Sequence, residues 1–175
     1  MADRRLTGIL LVGGASSRFG SPKAHVELGG ATLAEHAWQL LGEACDERIA
    51  VGAGGADLPF ETIDDAEPGS GPLGGIVAGL RAAVHDVAVV VPVDMPRLDT
   101  AALQTLARAC RDAAIAQHGP LPAAFARSAL PVLEDALARR ELRLRDVLTH
   151  LDTAAVALDE NVLVNVNRPD DLQRL

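Results

Sequence analysis

A loop rich in glycine and serine near the N-terminus carries the first residues whose types suit a particular chemistry. It runs from Gly13 to Pro22 with the sequence GGASSRFGSP, and Lys23 follows it directly. Small residues expose backbone N–H groups to an anion, and the Arg18 guanidinium and the Lys23 ammonium stand five residues apart. The loop therefore predicts a polyphosphate-binding site, and the alternative is an exposed loop with ordinary solvated charges.

Lys23 is the only lysine among the sixteen lysine and arginine residues of the chain. Because arginine is used at every other basic position, this lysine indicates a need for a compact point charge. The loop is not a P-loop, since no lysine follows its glycines at the required offset. It is not a nucleophile elbow either, since Arg18 stands where that motif needs a glycine.

An aspartate with the features of a metal ligand follows the most apolar segment of the chain. Val87–Val93 has four valines in its first five residues and is followed by Asp94, which lies between Pro92 and Pro96. A carboxylate at the end of a buried strand can bind Mg²⁺, which typically takes one or two carboxylates plus substrate phosphates. The alternative is an aspartate that caps a helix or stabilises a turn.

Two further segments follow a predicted strand. Asp64 and Asp65 end a short apolar run and can face the same crevice, although an aspartate there is also typical of a turn. The segment GSGPLGG at residues 69–75 lets the backbone approach a ligand before a helix begins. Three of its glycines satisfy G-x-G-x-x-G, and Asp94 lies twenty residues beyond the last of them, Gly74, which leaves a dinucleotide-binding oxidoreductase as an alternative.

Hydrophobic periodicity predicts strands that alternate with helices. The predicted strands are Leu6–Val12, Arg48–Val51, Glu61–Ile63, Val87–Val93, Ala123–Ala126 and Val162–Val166. The predicted helices are one opened by the capping box of Thr32 and Glu35, then Gly75–Val84 and Leu98–Gln117, two that begin at Leu130 and Arg143, and a last turn from Pro169. This alternation predicts one α/β domain with a mainly parallel sheet, helices on both faces and a ligand at the carboxyl ends of the strands.

Composition excludes several classes of protein. The 175 residues are 49% hydrophobic and 23% charged, which allows a core and excludes intrinsic disorder. A net charge of −8 without a basic stripe excludes duplex DNA, and 2% aromatic residues leave no stacking platform for single strands. No apolar run approaches the ~20 residues of a membrane span or the core of a signal peptide. We therefore expect a cytoplasmic protein without nucleic-acid or membrane partners.

The cysteines and histidines form no recognised motif. Cys45 and Cys110 make no CxxC pair, and we expect two buried thiols in a reducing compartment. The five histidines lack zinc-site spacing and have no evident partners for a hydrolytic triad. We expect them at the surface or in helix packing.

The segments that carry these residues resemble, taken together, the molybdenum cofactor guanylyltransferases and the wider class of small nucleotidyltransferases. The resemblance extends from the first predicted strand to the last turn and keeps the order of the family's motifs. Those motifs are LVGGxSSRFG at residues 11–20 with Lys23, GPLGGI at 71–76 with Gly79-Leu80, VPVDMP at 91–96 and NVNxPxDL at 165–172. The first motif marks nucleotidyltransferases in general, whereas the last points to the guanylyl enzymes.

The resemblance implies a single three-layer Rossmann-like nucleotidyltransferase domain over residues 1–175 that binds GTP and Mg²⁺. The nucleotide-binding residues that it implies are Leu11, Val12, Gly13, Gly14, Arg18, Lys23, Asp65 and Asp94. The first three would meet the base and ribose, and Asp94 would hold the metal. Arg18 and Lys23 would hold the triphosphate and, with Asp94, form the catalytic set. Asn165 and Asn167 resemble family asparagines near the metal and the second substrate.

The implied reaction is transfer of GMP from GTP to the phosphate of molybdopterin, with release of pyrophosphate. The acceptor phosphate is largely ionised at neutral pH, so no general base is required. The partners implied are GTP, a molybdopterin-type substrate and acceptor molybdoenzymes or their chaperones. Alternatives are cytidylyl transfer to the same pterin, the oxidoreductase described above and a non-catalytic protein that binds a nucleotide or cofactor. Base preference and oligomeric state stay open.

The chain departs from the family pattern at two positions. Pro22 stands where the family commonly has an aspartate before the loop lysine, and Gly52 stands where it usually has an asparagine. The second departure predicts that one nucleotide contact is missing or is made by the backbone. Residues between His118 and Arg145, on the side expected for the pterin, receive no assignment.

Overall fold

The computed structural model describes residues 5–13, 22–52 and 57–174. The strands of the described residues are β1 Leu6–Leu11, β2 Glu27–Leu28, β3 Ala31–Thr32, β4 Glu47–Val51, β5 Thr62–Ile63, β6 Val87–Pro92, β7 Ala113–Ala116, β8 Ala123–Ala126 and β9 Thr153–Val156. The α-helices are α1 Leu33–Ala44, α2 Pro72–Ala82, α3 Thr100–Ala109, α4 Leu130–Ala138 and α5 Leu144–Val147. Short 3₁₀ turns cover Lys23–His25, Arg127–Ala129, Leu148–His150, Glu160–Val162 and Pro169–Arg174.

Seven of the strands form one sheet in the order β5-β4-β1-β6-β8-β7-β9, and β2 pairs with β3 in a separate hairpin. β1 runs parallel to both of its neighbours, β4 and β6. β8 runs antiparallel to β6 and β7, and β7 runs parallel to β9. The predicted α/β class with a mainly parallel sheet is therefore confirmed. Every strand of this sheet except β8 ends at the same edge, where the topology places the candidate site.

Two apolar clusters cover the two faces of the sheet, as the prediction of helices on both faces required. α1 and α3 pack on one face, and α2, α4 and α5 pack on the other. β1 is buried along all six residues, so it is the central strand against which both layers pack. Alanine, valine and leucine make up most of the core, and Phe125 is its largest fully buried side chain.

The capping box at the start of α1 is confirmed. The Thr32 hydroxyl accepts a hydrogen bond from the Glu35 amide at 3.1 Å, and the Glu35 carboxylate accepts one from the Thr32 amide at 2.7 Å. Helix α2, in contrast, begins at Pro72 and not at Gly75 as predicted. Proline suits the first position of a helix because the N–H that it lacks would have no partner inside the helix.

The predicted helix Leu98–Gln117 is wrong in its second half. Helix α3 ends at Ala109, and Ala113–Ala116 is strand β7, which lies between β8 and β9. Alanine has the highest intrinsic helix propensity, so the local sequence favours continuation of the helix. Pairing on both sides and burial of three of its four residues override that preference.

The predicted strand Val162–Val166 is also wrong, and the strand next to β7 is β9, Thr153–Val156. The Asp159 carboxylate accepts a hydrogen bond from the Asn161 amide at 2.9 Å and opens a 3₁₀ turn that ends at Val162. The chain then returns toward β6, where Val166 is fully buried. Apolar residues in this segment therefore anchor a loop and do not extend the sheet.

The two thiols are not bonded to each other, and Cys110 is buried whereas Cys45 is half-buried. Burial, and after it the charge of Asp46, raises the pKa of the Cys45 thiol to about 12. Cys45 thus lacks the thiolate character of a nucleophile. Within residues 5–13, 22–52 and 57–174, no helix has the length and apolar character that crossing a membrane requires.

Candidate active site

A cleft of about 640 Å³ opens at the carboxyl edge of the sheet, where β1 and β6 end beside the first turn of α2. β1 and β6 are adjacent parallel strands, so the segments that follow them start side by side. The described residues that the sequence assigned to the site and that line this cleft are Leu11, Val12, Gly13, Lys23, Asp65, Asp94 and Asn165. The predicted convergence of separate motifs on one edge is therefore present in the fold.

Lys23 and Asp94 form an ion pair inside the cleft. The Lys23 Nζ atom lies 2.7 Å from Asp94 Oδ2, and each side chain is 21% exposed. The same ammonium donates a second hydrogen bond of 2.7 Å to Asn167 Oδ1. Lys23 opens the 3₁₀ turn after the first loop, Asp94 follows β6, and Asn167 belongs to the C-terminal motif. Three segments distant in sequence thus meet at one ammonium group.

The C-terminal motif is fastened to the tip of β6. The Val166 amide donates a hydrogen bond of 2.8 Å to the Asp94 carbonyl, and the Val166 side chain is fully buried. This anchor places Asn165 on the cleft and Asn167 on Lys23. Asn167 therefore contacts the ion pair directly, and Asn165 lines the same cleft.

Asp65 is the member of the aspartate pair that lines the cleft, whereas Asp64 is exposed and lies outside the lining. Three contacts hold the following segment in place. The Ala66 amide donates to the Gly74 carbonyl at 3.2 Å, the Ser70 hydroxyl donates to the Glu67 carbonyl, and the Glu67 carboxylate pairs with the guanidinium of Arg140. Sequence reasoning missed these supports because none of them belongs to a motif with a known chemistry.

Burial, and after it the neighbouring charge of Asp64, raises the pKa of the Asp65 carboxyl. We therefore expect Asp65→Asn to raise the thermal unfolding midpoint at pH 7. A carboxyl whose pKa is higher in the folded chain than in the unfolded chain destabilises the fold once it ionises, and an amide avoids that loss. Below the ordinary aspartate pKa of about 4 both states are protonated, so the gain should shrink.

The measurement is the difference in unfolding midpoint between Asp65→Asn and the wild type at pH 7 and at pH 3. Asp64→Asn is the matched control, and it should give a smaller gain because Asp64 is only the second cause of the raised pKa. An Asp65→Asn gain of equal size at both pH values would contradict the assignment.

Gly52 allows β1 and β4 to end in close contact. Its φ angle is +123°, and a Cβ atom built on it would lie 2.6 Å from the Gly13 amide nitrogen. The family pattern usually has an asparagine at this position. With the backbone seen here, the Cβ atom of an asparagine would clash with the main chain at the start of the first loop. The close approach of the two main chains is therefore a physical reason for glycine at position 52 in place of the family's asparagine.

We expect Gly52→Ala to destabilise the protein by about 1–3 kcal/mol more than Gly30→Ala does. Gly30 also has a positive φ of +92°, but a Cβ atom there has no heavy atom within 4 Å among the described residues. Both variants introduce the backbone strain, and only Gly52→Ala introduces the clash. Urea unfolding of the two variants measures the difference, and equal losses of stability would show that the contact with Gly13 is unimportant.

Two predicted residues, Gly14 and Arg18, lie outside the described residues. Pro22 is described and exposed, with an extended conformation that leads into the turn of Lys23. Its carbonyl accepts the His25 amide at 3.1 Å, so the turn that presents the lysine starts at this proline.

The charged and polar side chains of the cleft determine which ligands it can bind. Its described lining holds two carboxylates, Asp65 and Asp94, and one ammonium, Lys23. Among the residues that the structure describes, no group of three or more His, Cys, Asp and Glu side chains is arranged to hold a metal. Lys23 contacts one carboxylate and one carboxamide oxygen, those of Asp94 and Asn167, and Asn165 lines the same cleft. Such a hard, incomplete donor set fits Mg²⁺, which completes its coordination with water and substrate phosphates.

Two of the five histidines, His118 and His150, form ion pairs outside the lining of the cleft. His118 pairs with Glu160 at 3.2 Å and His150 with Glu141 at 2.9 Å, and all four side chains are substantially exposed to solvent. His118 lines a second cleft of about 350 Å³, which also contains Arg145 and does not share lining residues with the first. Within the described part of the chain, the main cleft thus contains no histidine that can act as a general base.

Comparison with known proteins identifies first the class and then the family. The fold matches the crystal structure of molybdopterin-guanine dinucleotide biosynthesis protein A from Archaeoglobus fulgidus with a TM-score of 0.82 at 28% identity, over 96% of this chain and 95% of that one. The class is that of a nucleotidyltransferase, as the family model that matches the chain shows. The model of the MobA-like NTP transferase domain matches residues 8–170, and the chain belongs to that family.

Two relatives by sequence extend over nearly the whole chain. A "probable molybdenum cofactor guanylyltransferase" of Chloroflexus aggregans is 35% identical in an alignment that covers 96% of this chain and 92% of the relative. The molybdenum cofactor guanylyltransferase of Xanthomonas euvesicatoria is 35% identical in an alignment that covers 99% of this chain and 95% of the relative. Family membership corrects the oxidoreductase alternative, which rested on the glycine spacing at residues 69–74.

Proposed function

We propose that this enzyme transfers GMP from GTP to the phosphate of molybdopterin and releases pyrophosphate. The observation that carries the proposal is the cluster of Lys23, Asp94 and Asn167 at the carboxyl edge of a MobA-like sheet. Relatives at 35% identity over nearly the full length are named for guanylyl transfer in molybdenum cofactor synthesis. The product is the guanine dinucleotide form of the cofactor.

The nucleotide lies over the end of β1 in this proposal. Leu11, Val12 and Gly13 meet the base and ribose, and Asp65, whose carboxylate lies close to Gly13, contacts the nucleotide in the same cleft. Lys23 holds the triphosphate and, together with Arg18, the leaving pyrophosphate. Helix α2 adds its positively polarised N-terminus, since Gly71 and Pro72 line the same cleft.

Asp94 is the proposed ligand of Mg²⁺, with Asn165 and Asn167 beside it. The described lining of the cleft supports a metal, because its two carboxylates outnumber its one ammonium and this net negative charge would repel a triphosphate. When bound, the metal neutralises phosphate charge and stabilises the charge that develops on the leaving group. The chain's own contribution is to fix the carboxylate at the strand end and to exclude other arrangements of the phosphates.

Lys23 has to exchange partners when the nucleotide binds. Its ammonium lies on the Asp94 carboxylate that the metal would use, and a triphosphate provides a stronger anionic partner. The exchange frees the carboxylate and moves the ammonium to a phosphate oxygen. Binding of the nucleotide and binding of the metal therefore favour each other.

The acceptor needs little chemical activation. One oxygen of the molybdopterin phosphate forms a bond to the α-phosphorus of GTP while the bond to the pyrophosphate oxygen breaks. A phosphate monoester is largely ionised at neutral pH, because its second pKa is about 6, so no proton has to be removed. A main cleft without a histidine in its described lining agrees with catalysis by positioning and charge neutralisation.

The test is pyrophosphate release by the purified protein with GTP, CTP or ATP, each at millimolar Mg²⁺ and with or without molybdopterin. We expect release with GTP that depends on the acceptor, and we expect much lower rates with the other nucleotides. Preference for CTP would replace the proposal by cytidylyl transfer to the same pterin. Binding of nucleotide without any pyrophosphate release would identify a carrier and overturn the proposal.

A further inference from the structure

The Asp171 carboxylate binds backbone amides within the C-terminal motif. Its Oδ2 atom accepts hydrogen bonds from two successive backbone amides, those of Asn167 and Arg168, each at 2.8 Å. Asp171 is the third residue of the 3₁₀ turn Pro169–Arg174 and is half-buried. A carboxylate that bonds two amides at once fixes the peptide planes on both sides of Asn167 more firmly than either bond alone.

Asn167 depends on this support because its own side chain is exposed and does not pack in the core. The chain is anchored on the other side of Asn167 by Val166, which is buried and whose amide bonds the Asp94 carbonyl at 2.8 Å. Between these two anchors the Asn167 carboxamide lies against the Lys23 ammonium at 2.7 Å. The position of the amide oxygen is therefore determined by the backbone that Asp171 holds.

We propose that Asp171 is a positioning residue of the active site that acts through Asn167. The proposal rests on the function proposed above, because it assigns Lys23 to the triphosphate. Asp171 holds Asn167 so that its carboxamide takes one of the Lys23 hydrogen bonds and keeps the ammonium at the mouth of the Asp94 site. Without Asp171, Asn167 and Lys23 sample other positions, and the nucleotide and its metal bind to a less ordered site.

A double-mutant cycle tests this route of action, with kcat and KM for Mg·GTP measured for Asn167→Ala, Asp171→Ala and the double variant. We expect each single variant to lower kcat/KM by about 10- to 100-fold. Because Asp171 acts through Asn167, the double variant should be no worse than Asn167→Ala alone. Losses that multiply, or full activity of Asp171→Ala, would overturn the proposal.

Two further variants separate positioning from general stability. Asp171→Asn keeps an acceptor oxygen at the same distance along the side chain, so it should retain most of the activity, and behaviour like that of Asp171→Ala would contradict the positioning role. Asp170→Ala removes an exposed carboxylate with no hydrogen bond or ion pair to the rest of the described chain, and its kcat/KM should equal that of the wild type.

Amide hydrogen exchange gives a readout that does not require turnover. Asn167 and Arg168 should lose protection in Asp171→Ala while the amides of β1 and β6 keep theirs. Unchanged protection at these two residues would overturn the proposal even if the enzyme transfers GMP. If the wild type transfers no GMP but Asp171→Ala still loses protection at Asn167 and Arg168, the proposed function is refuted and the local anchoring role of Asp171 stands.

Discussion

Replacing Lys23 by alanine should lower the rate of GMP transfer by about 100- to 1,000-fold without changing the unfolding midpoint. The ammonium is the one described cation in the cleft lining, and it has direct contact with Asp94 and Asn167. Its removal deprives the triphosphate of a charge-assisted donor at the point where charge develops on the leaving pyrophosphate. The ion pair of Lys23 with Asp94 is partly exposed to solvent, so we expect its loss to cost at most about 1 kcal/mol of stability and to leave the unfolding midpoint nearly unchanged. The measurement is single-turnover release of pyrophosphate at saturating Mg·GTP.

Lys23→Arg and Arg108→Ala serve as controls for this variant. Arginine keeps the charge and delocalises it over a larger group, so Lys23→Arg should recover only part of the rate if a compact ammonium is required. Arg108 is an exposed cation in the last turn of α3 and does not line the cleft, and its loss should leave the rate unchanged. Wild-type release by Lys23→Ala would refute the assigned role of the lysine.

Replacing Asp94 by asparagine should lower the Mg²⁺-dependent rate on the order of 1,000-fold, and millimolar Mg²⁺ should not restore it. Asp94 is the carboxylate that pairs with Lys23 in the cleft, and an amide keeps its shape but loses its charge. The same variant also releases Lys23 from its ion pair, so nucleotide affinity should fall less than the rate does. Initial rates over a series of Mg²⁺ concentrations and a series of GTP concentrations measure the Mg²⁺-dependent rate and the nucleotide affinity.

Asp99→Asn is the matched control for the loss of a carboxylate. Asp99 follows Asp94 by five residues, is exposed and caps α3 by accepting the Ala102 amide at 2.7 Å. Asparagine is an equally good cap, so both stability and activity should stay close to the wild type. Activity of Asp94→Asn that is retained at millimolar Mg²⁺ would contradict the assignment of Asp94 as the metal ligand.

The parts of the site that could be predicted from the sequence are those whose chemistry is local. The first loop with Lys23 and the aspartate after the valine strand each follow a strand that the periodicity predicts, whereas the strand predicted at the asparagine motif is absent from the fold. Parallel strands that end at one edge bring such segments together, so the convergence of Lys23 and Asp94 follows from fold class alone. The sequence left open which aspartate of the pair faces the cleft, and the structure selects Asp65.

The errors lie where long-range pairing outweighs local preference. The alanine-rich segment that forms β7 has helix-favouring residues and becomes a strand because β8 and β9 flank it. The segment 162–166 has the apolar pattern of a strand, but the buried Val166 serves as an anchor to the tip of β6. The contact of Lys23 with Asn167 joins residues at opposite ends of the chain, and no local pattern encodes it.

The close approach of Gly52 to Gly13 was also beyond prediction. A glycine after a strand is typical of many turns, and only the structure shows that a Cβ atom at this one would meet a backbone nitrogen. In the sequence, the same position appears only as a departure from the family pattern. The role of Asp171 is of the same kind, since its partners are backbone amides that every residue possesses.

The most direct test of the account is a crystal structure of the enzyme with Mg²⁺ and the α,β-methylene analogue of GTP, which cannot be cleaved at the reacting bond. We expect the Lys23 ammonium to have left the Asp94 carboxylate for a phosphate oxygen, and the carboxylate to hold the metal. The base should lie over the end of β1, and Asn167 should remain beside Lys23. A nucleotide bound elsewhere while the pair of Lys23 and Asp94 stays intact would contradict the account.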